Sequence, residues 1–252
     1  MVDLERFKTL ILRDLNVDLF SYKEEQLHRR LKSFFSRNEI TDIDAYSKLL
    51  ATNATEREKF LDFVTINVTE FYRNPELYKD LSNLLKERGH QKLKIWSAAC
   101  SNGCEPYSVA ILLNELGHTN FTIYATDLDP TIIKKAQEGS YDEADIKNLP
   151  QSIVNKYFKE VDNKYIINNI VKKNVIFKTH DLLMDKYDSD FDLVLCRNVV
   201  IYFNTEAKEK LYKNISSSIK ENGLFFVGAT ENIHDYNRYG FEKISSFIYI
   251  KK

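Results

Sequence analysis

The chain has 252 residues, of which 43% are hydrophobic and 13% aromatic, enough for a globular protein with one large domain or two small ones. Its 36 lysines and arginines nearly cancel 37 aspartates and glutamates, so no global field selects polyanions or acidic membranes and any electrostatic recognition must be local. The N-terminus MVDLERFKTL carries acids and no apolar run of signal length, and no segment approaches the ~18 apolar residues of a membrane span, so the chain is expected to stay in the cytoplasm without inserting into a membrane.

In chain order, Leu4, Phe7 and Ile11 share one face of a first helix that can open at Asp3 and stop near Asn16. Three capping boxes follow, Ser21 with Glu24, Thr41 with Asp44 and Thr55 with Glu58, and each predicts a new helix. Residues 1–73 therefore read as a helical domain built from a small bundle. Its second helix sets Leu27, Leu31, Phe34 and Phe35 against the basic series Lys23, Arg30 and Arg37, with Arg29 and Lys32 nearby; a solvated face explains such charges. A linking helix within 74–90 starts at Pro75 and is ended by Gly89. From 91 to 252 strands alternate with helices, the pattern of a mainly parallel sheet covered on both faces, so this domain is α/β.

The stretch IWSAACSNGCEPYS (Ile95 to Ser108) reads as a buried strand, a tight loop of small residues and a helix start. Val109, Leu112, Leu113 and Leu116 recur at helical spacing, Pro106 suits the first turn and Gly117 the stop. After a second strand (Phe121 to Ala125), ATDLD places Asp127 24 residues beyond Gly103, the glycine of the loop. Strand, tight loop and then an acid at about that distance is the order that wraps a nucleoside-containing cofactor. Asp129, directly before Pro130, has the simpler use of a helix N-cap. The run from Tyr157 to Lys178 breaks the alternation with consecutive β-rich segments around Asp162-Asn163, which predicts an inserted hairpin. Later strands are expected at Val175 to Phe177, Leu193 to Cys196, Leu224 to Val227 and Phe247 to Ile250, with a helix carrying Leu211, Ile215 and Ile219 before Asn222-Gly223. Cys100, Cys104 and Cys196 form no disulfide framework, and His28, His90, His118, His180 and His234 are dispersed, so neither a metal site nor a catalytic dyad is expected.

Six ordered stretches, INVTEFYRN (Ile66 to Asn74), IWSAACSNGCEPYS, ATDLD, HDLL (His180 to Leu183), CRNVVIYF (Cys196 to Phe203) and GLFFVGATE (Gly223 to Glu231), resemble the chemotaxis-receptor glutamate methyltransferases, the CheR family, over nearly the whole chain. The resemblance implies a Rossmann-like S-adenosylmethionine-dependent methyltransferase domain with a small β insertion near 157–178, preceded by an all-α N-terminal domain. It implies methyl transfer to glutamate side chains on the helical bundle of methyl-accepting chemotaxis receptors, with S-adenosylhomocysteine as product and no metal. Transfer from a sulfonium to a carboxylate is an in-line displacement, and a glutamate with a reference pKa of about 4.3 is already ionised at neutral pH, so no general base is required. What the enzyme must supply is position and charge.

By the same resemblance, Asn67, Thr69 and Arg73 reach the cofactor and the reacting carboxylate, although the residues alone also allow an inter-domain hydrogen-bond network. Arg73 can hold a carboxylate in bidentate geometry. Glu105 either answers a helix dipole or binds cofactor; Asp127 accepts the ribose hydroxyls; Asp181, Leu182, Arg197 and Asn198 complete the cofactor set. Tyr202 either borders the transferring methyl or packs in the core, and with Arg73 forms the expected catalytic pair. Asn102 stands where the family has threonine, Cys104 where it has a first glutamate and Asp181 where it has asparagine, which keeps open a catalytically silent S-adenosylmethionine-binding adaptor. A methyltransferase acting on RNA or a small molecule is opposed by the near-neutral charge and the absence of a clustered nucleic-acid surface. In some relatives the hairpin edge captures a receptor C-terminal peptide by strand addition, and the short, glycine-free turn here argues against that tether. Because the family's substrate is a bundle of acidic helices, the basic second helix gains a steering role as an alternative to its solvated one.

Overall fold

The computed structural model describes residues 3–89 and 91–252; Met1, Val2 and His90, and with them the outermost ends of the expected helical domain and linking segment, lie outside that description. Helix α1 (Leu4–Leu15) opens on the Asp3 carboxylate, which accepts the Arg6 N–H at 3.0 Å, and closes on Asn16 in the left-handed conformation. Helices α2 (Glu24–Arg37), α3 (Ile43–Thr52) and α4 (Ala54–Thr65) form where the capping signals point, but other residues cap them. Ser21 donates to Asp18 at 2.5 Å and α2 has no side-chain cap, while Asp42 and Asn53, rather than Thr41 and Thr55, directly precede α3 and α4 and accept their free N–H groups. Aspartate and asparagine cap at least as well as threonine, so the residue adjacent to the first turn wins. Phe7 of α1, wholly buried, meets Phe35 of α2 and Phe60 of α4 edge to face at 4.9 and 5.8 Å, which locks three helices around one aromatic core.

Helix α5 (Pro75–Lys86) leads into β1 (Leu93–Ala98), α6 (Cys104–Glu115), β2 (Phe121–Asp127) and α7 (Pro130–Glu138). Asp129 caps α7, accepting the Thr131 N–H at 2.8 Å. Then come β3 (Ser140–Tyr141), α8 (Glu143–Ile146), α9 (Gln151–Tyr157), β4 (Phe158–Val161), β5 (Lys164–Ile167), α10 (Asn169–Lys172), β6 (Val175–Thr179) and β7 (Phe191–Cys196). A 3-10 turn (Val200–Tyr202), α11 (Thr205–Ser218), β8 (Ile219–Val227), a second 3-10 turn (Tyr236–Tyr239), β9 (Phe241–Lys243) and β10 (Ile248–Lys251) complete the chain.

Seven strands form one sheet in the order β6-β2-β1-β7-β8-β10-β9, with β6 to β8 parallel and β10 antiparallel to both its neighbours. Strand β7 is buried along its whole length, which is why FDLVLC reads as a run rather than an alternation. The chain order reverses between β1 and β7, where Ala98 pairs with Cys196, and a crevice at such a point lies beyond the carboxyl ends of the strands.

The inserted hairpin is shorter than the expected span 157–178. Strands β4 and β5 turn through Asp162 and Asn163, both at positive φ (51° and 60°), and β3 joins them as a small antiparallel sheet. Val175–Thr179 pairs in parallel with β2 instead and forms the outer edge of the large sheet. The helix expected to reach Ile219 stops at Ser218, since Ile219 already pairs with Phe191. The next pairing is Leu224 with Leu193, so β8 bulges over 220–223, with Asn222 at φ 60°.

The two domains are joined by backbone as well as packing. Tyr22 forms a β-bridge with Phe203, the Lys23 N–H donates to the Tyr202 oxygen at 2.8 Å, and the Asn204 N–H donates to Ser21 at 2.9 Å. Among the described residues no helix is long and apolar enough to cross a membrane.

Candidate functional site

A cleft in two lobes lies over the carboxyl ends of β1, β2 and β7, and the lobes share Thr65, Ala99, Asp127 and Val199. The mainly apolar lobe adds Tyr22, Leu128, His180, Asp181, Leu182, Tyr202 and Phe203. The polar lobe adds Asn67, Thr69, Arg73, Ser101, Glu105, Arg197 and Asn198. All ten residues singled out from the sequence therefore line one cleft, although they come from five separate stretches of chain.

Asp127 stands where the lobes meet. Its carboxylate accepts N–H groups from Ser101 at 2.8 Å and Asp129 at 3.2 Å, and burial raises its pKa to about 6, against the lowering effect of those same bonds. The N–H of Ser101 points inward because Ala99, Ser101 and Gly103 are all left-handed, a loop that only small residues make without crowding. Asp181 caps its own turn, accepting from the Leu183 N–H at 2.8 Å, and burial raises its pKa as well.

In the polar lobe, Glu105 accepts Ser97 Oγ at 2.7 Å on Oε1 and faces Arg197 at 3.6 Å on Oε2. Burial pushes its pKa up and Arg197 opposes that. Asn67 donates to Asp62 at 3.1 Å and to Asp129 at 3.3 Å, so it serves the inter-domain network while lining the cleft. The Arg73 guanidinium donates to the Val68 oxygen at 3.1 Å. Tyr202 is partly exposed at the mouth of the apolar lobe rather than packed in the core.

Two cleft-side residues escaped the sequence reading. Glu231, 5% exposed, accepts four backbone N–H groups: Asn198 at 2.7 Å, Val200 and Gly228 at 2.9 Å, and Ile201 at 3.3 Å. It fixes the turn that carries Asn198 and Tyr202, and the glycine before it is required, since a Cβ on Gly228 would lie 2.7 Å from Glu231 Oε2. His180 lines the apolar lobe with its pKa lowered by burial. Their signals in the sequence are the motifs GLFFVGATE, which ends on Glu231, and HDLL, which opens on His180.

Two departures from the family pattern lie outside the cleft. Asn102 folds its side chain back to accept the Cys104 N–H at 3.2 Å, and Cys104 is buried in the core of the sheet domain, its thiol pushed well up by that burial. The remaining polar geometry suits a nucleoside joined to a zwitterionic tail. Ser101 Oγ, lining the polar lobe, and His180 Nε2 are buried with no hydrogen-bond partner, and Glu105 Oε2 is met only by the Arg197 ion pair. These groups fit S-adenosylmethionine, with Asp127 available to the ribose hydroxyls between the lobes.

Comparison with known proteins agrees with this geometry. Residues 67–250 match the family model described as the CheR methyltransferase SAM binding domain, and residues 2–65 match the CheR methyltransferase all-alpha domain. A chemotaxis protein methyltransferase of Listeria monocytogenes is 37% identical over 99% of this chain and 98% of its own length. One from Listeria innocua is 38% identical over the same shares, and one from Escherichia coli is 28% identical over 92% of this chain and 85% of its own.

Proposed function

Because the chain belongs to the CheR methyltransferase family, we propose that its cleft esterifies glutamate side chains of methyl-accepting chemotaxis receptors. The coarser statement, a methyltransferase of chemotaxis that uses S-adenosylmethionine, rests on the matched domains and full-length relatives. When bound, the cofactor supplies a sulfonium methyl open to in-line attack. The observation that carries the reading is the buried Asp127 carboxylate, held by two N–H groups between an apolar and a polar lobe.

In this reading Asp127 accepts the ribose hydroxyls, Asp181 and Leu182 receive the adenine side, and Glu105 and Ser101 receive the amino-acid end. Asn67, Thr69 and Asn198 close the polar lobe around it, and Arg197 braces it. Arg73 turns from Val68 to hold the incoming carboxylate, and Tyr202 borders the path of the methyl. No proton needs to be moved, which agrees with a cleft whose histidine, His180, is pushed toward its neutral form. Each transfer removes one negative charge from a signalling helix and so alters its packing.

A groove lined by Lys23, Arg29, Arg30, Tyr22 and Tyr202 opens beside the apolar lobe and supports steering of an acidic helix to it. Arg30 is partly committed inward, donating to the carbonyls of Phe63 and Val64, so Lys23 and Arg29 carry the free charge. The two-residue turn of the β4–β5 hairpin supports a receptor encounter without a C-terminal peptide tether. The silent-adaptor reading loses force because Asn102 and Cys104 do not line the cleft, and rests on Asp181 alone.

The test is incubation with methyl-labelled S-adenosylmethionine and membranes carrying chemoreceptors. Label that mild alkali releases as methanol identifies a carboxyl ester; cofactor binding with no label transferred to any receptor would restore the adaptor.

A further inference from the structure

The Arg197 side chain serves four partners within the protein at once. It is 6% exposed, and its guanidinium meets the backbone oxygen of Arg73 at 2.8 Å, Asn74 Oδ1 at 3.3 Å, the Tyr78 hydroxyl at 3.4 Å and Glu105 Oε2 at 3.6 Å. The ring of Phe226 lies 4.6 Å from its charged carbon. A planar fork with donors at fixed angles can serve partners on different segments at once, which a single ammonium cannot.

The partners stand at opposite ends of the chemistry. Glu105 is the acid of the polar lobe, whereas Arg73 and Asn74 end the loop that brings the Arg73 side chain to the cleft. That loop is conformationally loaded, since Ile66, Tyr72 and Asn74 all sit at positive φ (51°, 46° and 61°) without being glycine. Its shape therefore depends on what holds it. The Glu105 contact, an ion pair at 3.6 Å, is the longest of the four, so Oε2 has capacity for a second cation. A cation arriving there divides the carboxylate's attraction, and the guanidinium then bears more fully on the loop carbonyl and amide.

We propose that Arg197 is a positioning residue that couples occupancy of the polar lobe at Glu105 to the conformation of the loop carrying Arg73. The inference rests on the S-adenosylmethionine reading given above. It makes the acceptor side of the cleft complete only once the cofactor side is filled, and so sets an order of binding.

The test uses S-adenosylhomocysteine, which keeps the ammonium and lacks the methyl. In the parent protein it should bind by calorimetry and slow deuterium uptake by the amides of residues 66–74 about fivefold or more, the usual range for coupled sites. Arg197→Lys keeps the charge and loses the fork, so it should still bind the product but lose most of that protection, with kcat falling more than the KM for cofactor rises. Should Arg197→Lys fail to fold, Asn74→Gly keeps the left-handed backbone, removes one acceptor and should show a smaller loss of the same protection. Equal protection in parent and variants overturns the coupling, as does a parent that binds the product with no change in the loop. A parent that does not bind the product at all overturns the cofactor reading, a result the calorimetry identifies separately.

Discussion

Burial holds the Asp127 proton until about pH 6, above the ordinary carboxyl value of 3.8, and this has two consequences of opposite sign. The native protein retains this proton where the unfolded chain has released it, so the group's contribution to stability is full below about pH 4 and declines as the pH rises through 6. Cofactor affinity should run the other way, because the ionised carboxylate is the better acceptor for two hydroxyls. Titration calorimetry between about pH 5 and pH 8 should show affinity falling up to about tenfold per unit below pH 6 in the parent and far less in Asp127→Asn. At neutral pH Asp127→Ala should cost about 1.5 to 3 kcal/mol of binding, the worth of a hydrogen bond to a charged group. Arg73→Ala and Tyr202→Phe should instead keep most of their cofactor affinity and lose roughly a hundredfold in methylation rate at saturating cofactor, equivalent to about 3 kcal/mol. Parent-like rates in both variants would return these residues to structural roles. Asp127 was legible from sequence because its place at a strand end follows from local order alone. Glu231 was not, because it meets Asn198 only after β8 pairs with β7, Val227 beside Cys196, across 33 positions of chain.

At the scale of elements, the turn after β7 is held by Glu231 more than by its own sequence. Asn198 is left-handed at φ 59°, and the N–H groups of Asn198, Val200 and Ile201 converge on one carboxylate. Glu231→Gln replaces one acceptor oxygen with an amide that faces those donors, so it should lower stability by about 1 to 3 kcal/mol in chemical denaturation. It should also weaken cofactor binding, whereas a purely global effect would leave the affinity of the folded fraction unchanged. The sequence indicated the helices and most strands through periodicity, and it missed by one or two residues wherever neighbours compete for the same job. Thr41 and Asp42 compete to cap α3, and Thr55 loses to Asn53 at α4. The end of α11 fell outside periodic reasoning for another reason. Ile219 continues the apolar stripe of the helix, but its pairing with Phe191 is a tertiary fact.

Across the whole molecule the charge is nearly balanced, so attraction toward an acidic partner depends on where the free cations sit. Lys23 and Arg29 lie in the groove that shares Tyr22 and Tyr202 with the cleft, and neither forms an ion pair with another described residue. Lys23→Gln with Arg29→Gln should raise the KM for receptor membranes severalfold and flatten its dependence on salt, while calorimetric affinity for the cofactor stays at the parent value. An unchanged KM and salt slope would assign that face to solvation alone. The backbone stitch between Tyr22 and Phe203 has a practical consequence for hybrid enzymes. Tyr202 takes its place partly from the amide of Lys23, and Asn204 from the carbonyl of Ser21, so this wall of the cleft is woven from both domains. A chimera that grafts the helical bundle of one relative onto the sheet domain of another would splice foreign thread into that wall. Such hybrids should keep turnover only if residues 18–23 and 199–204 are inherited from the same parent.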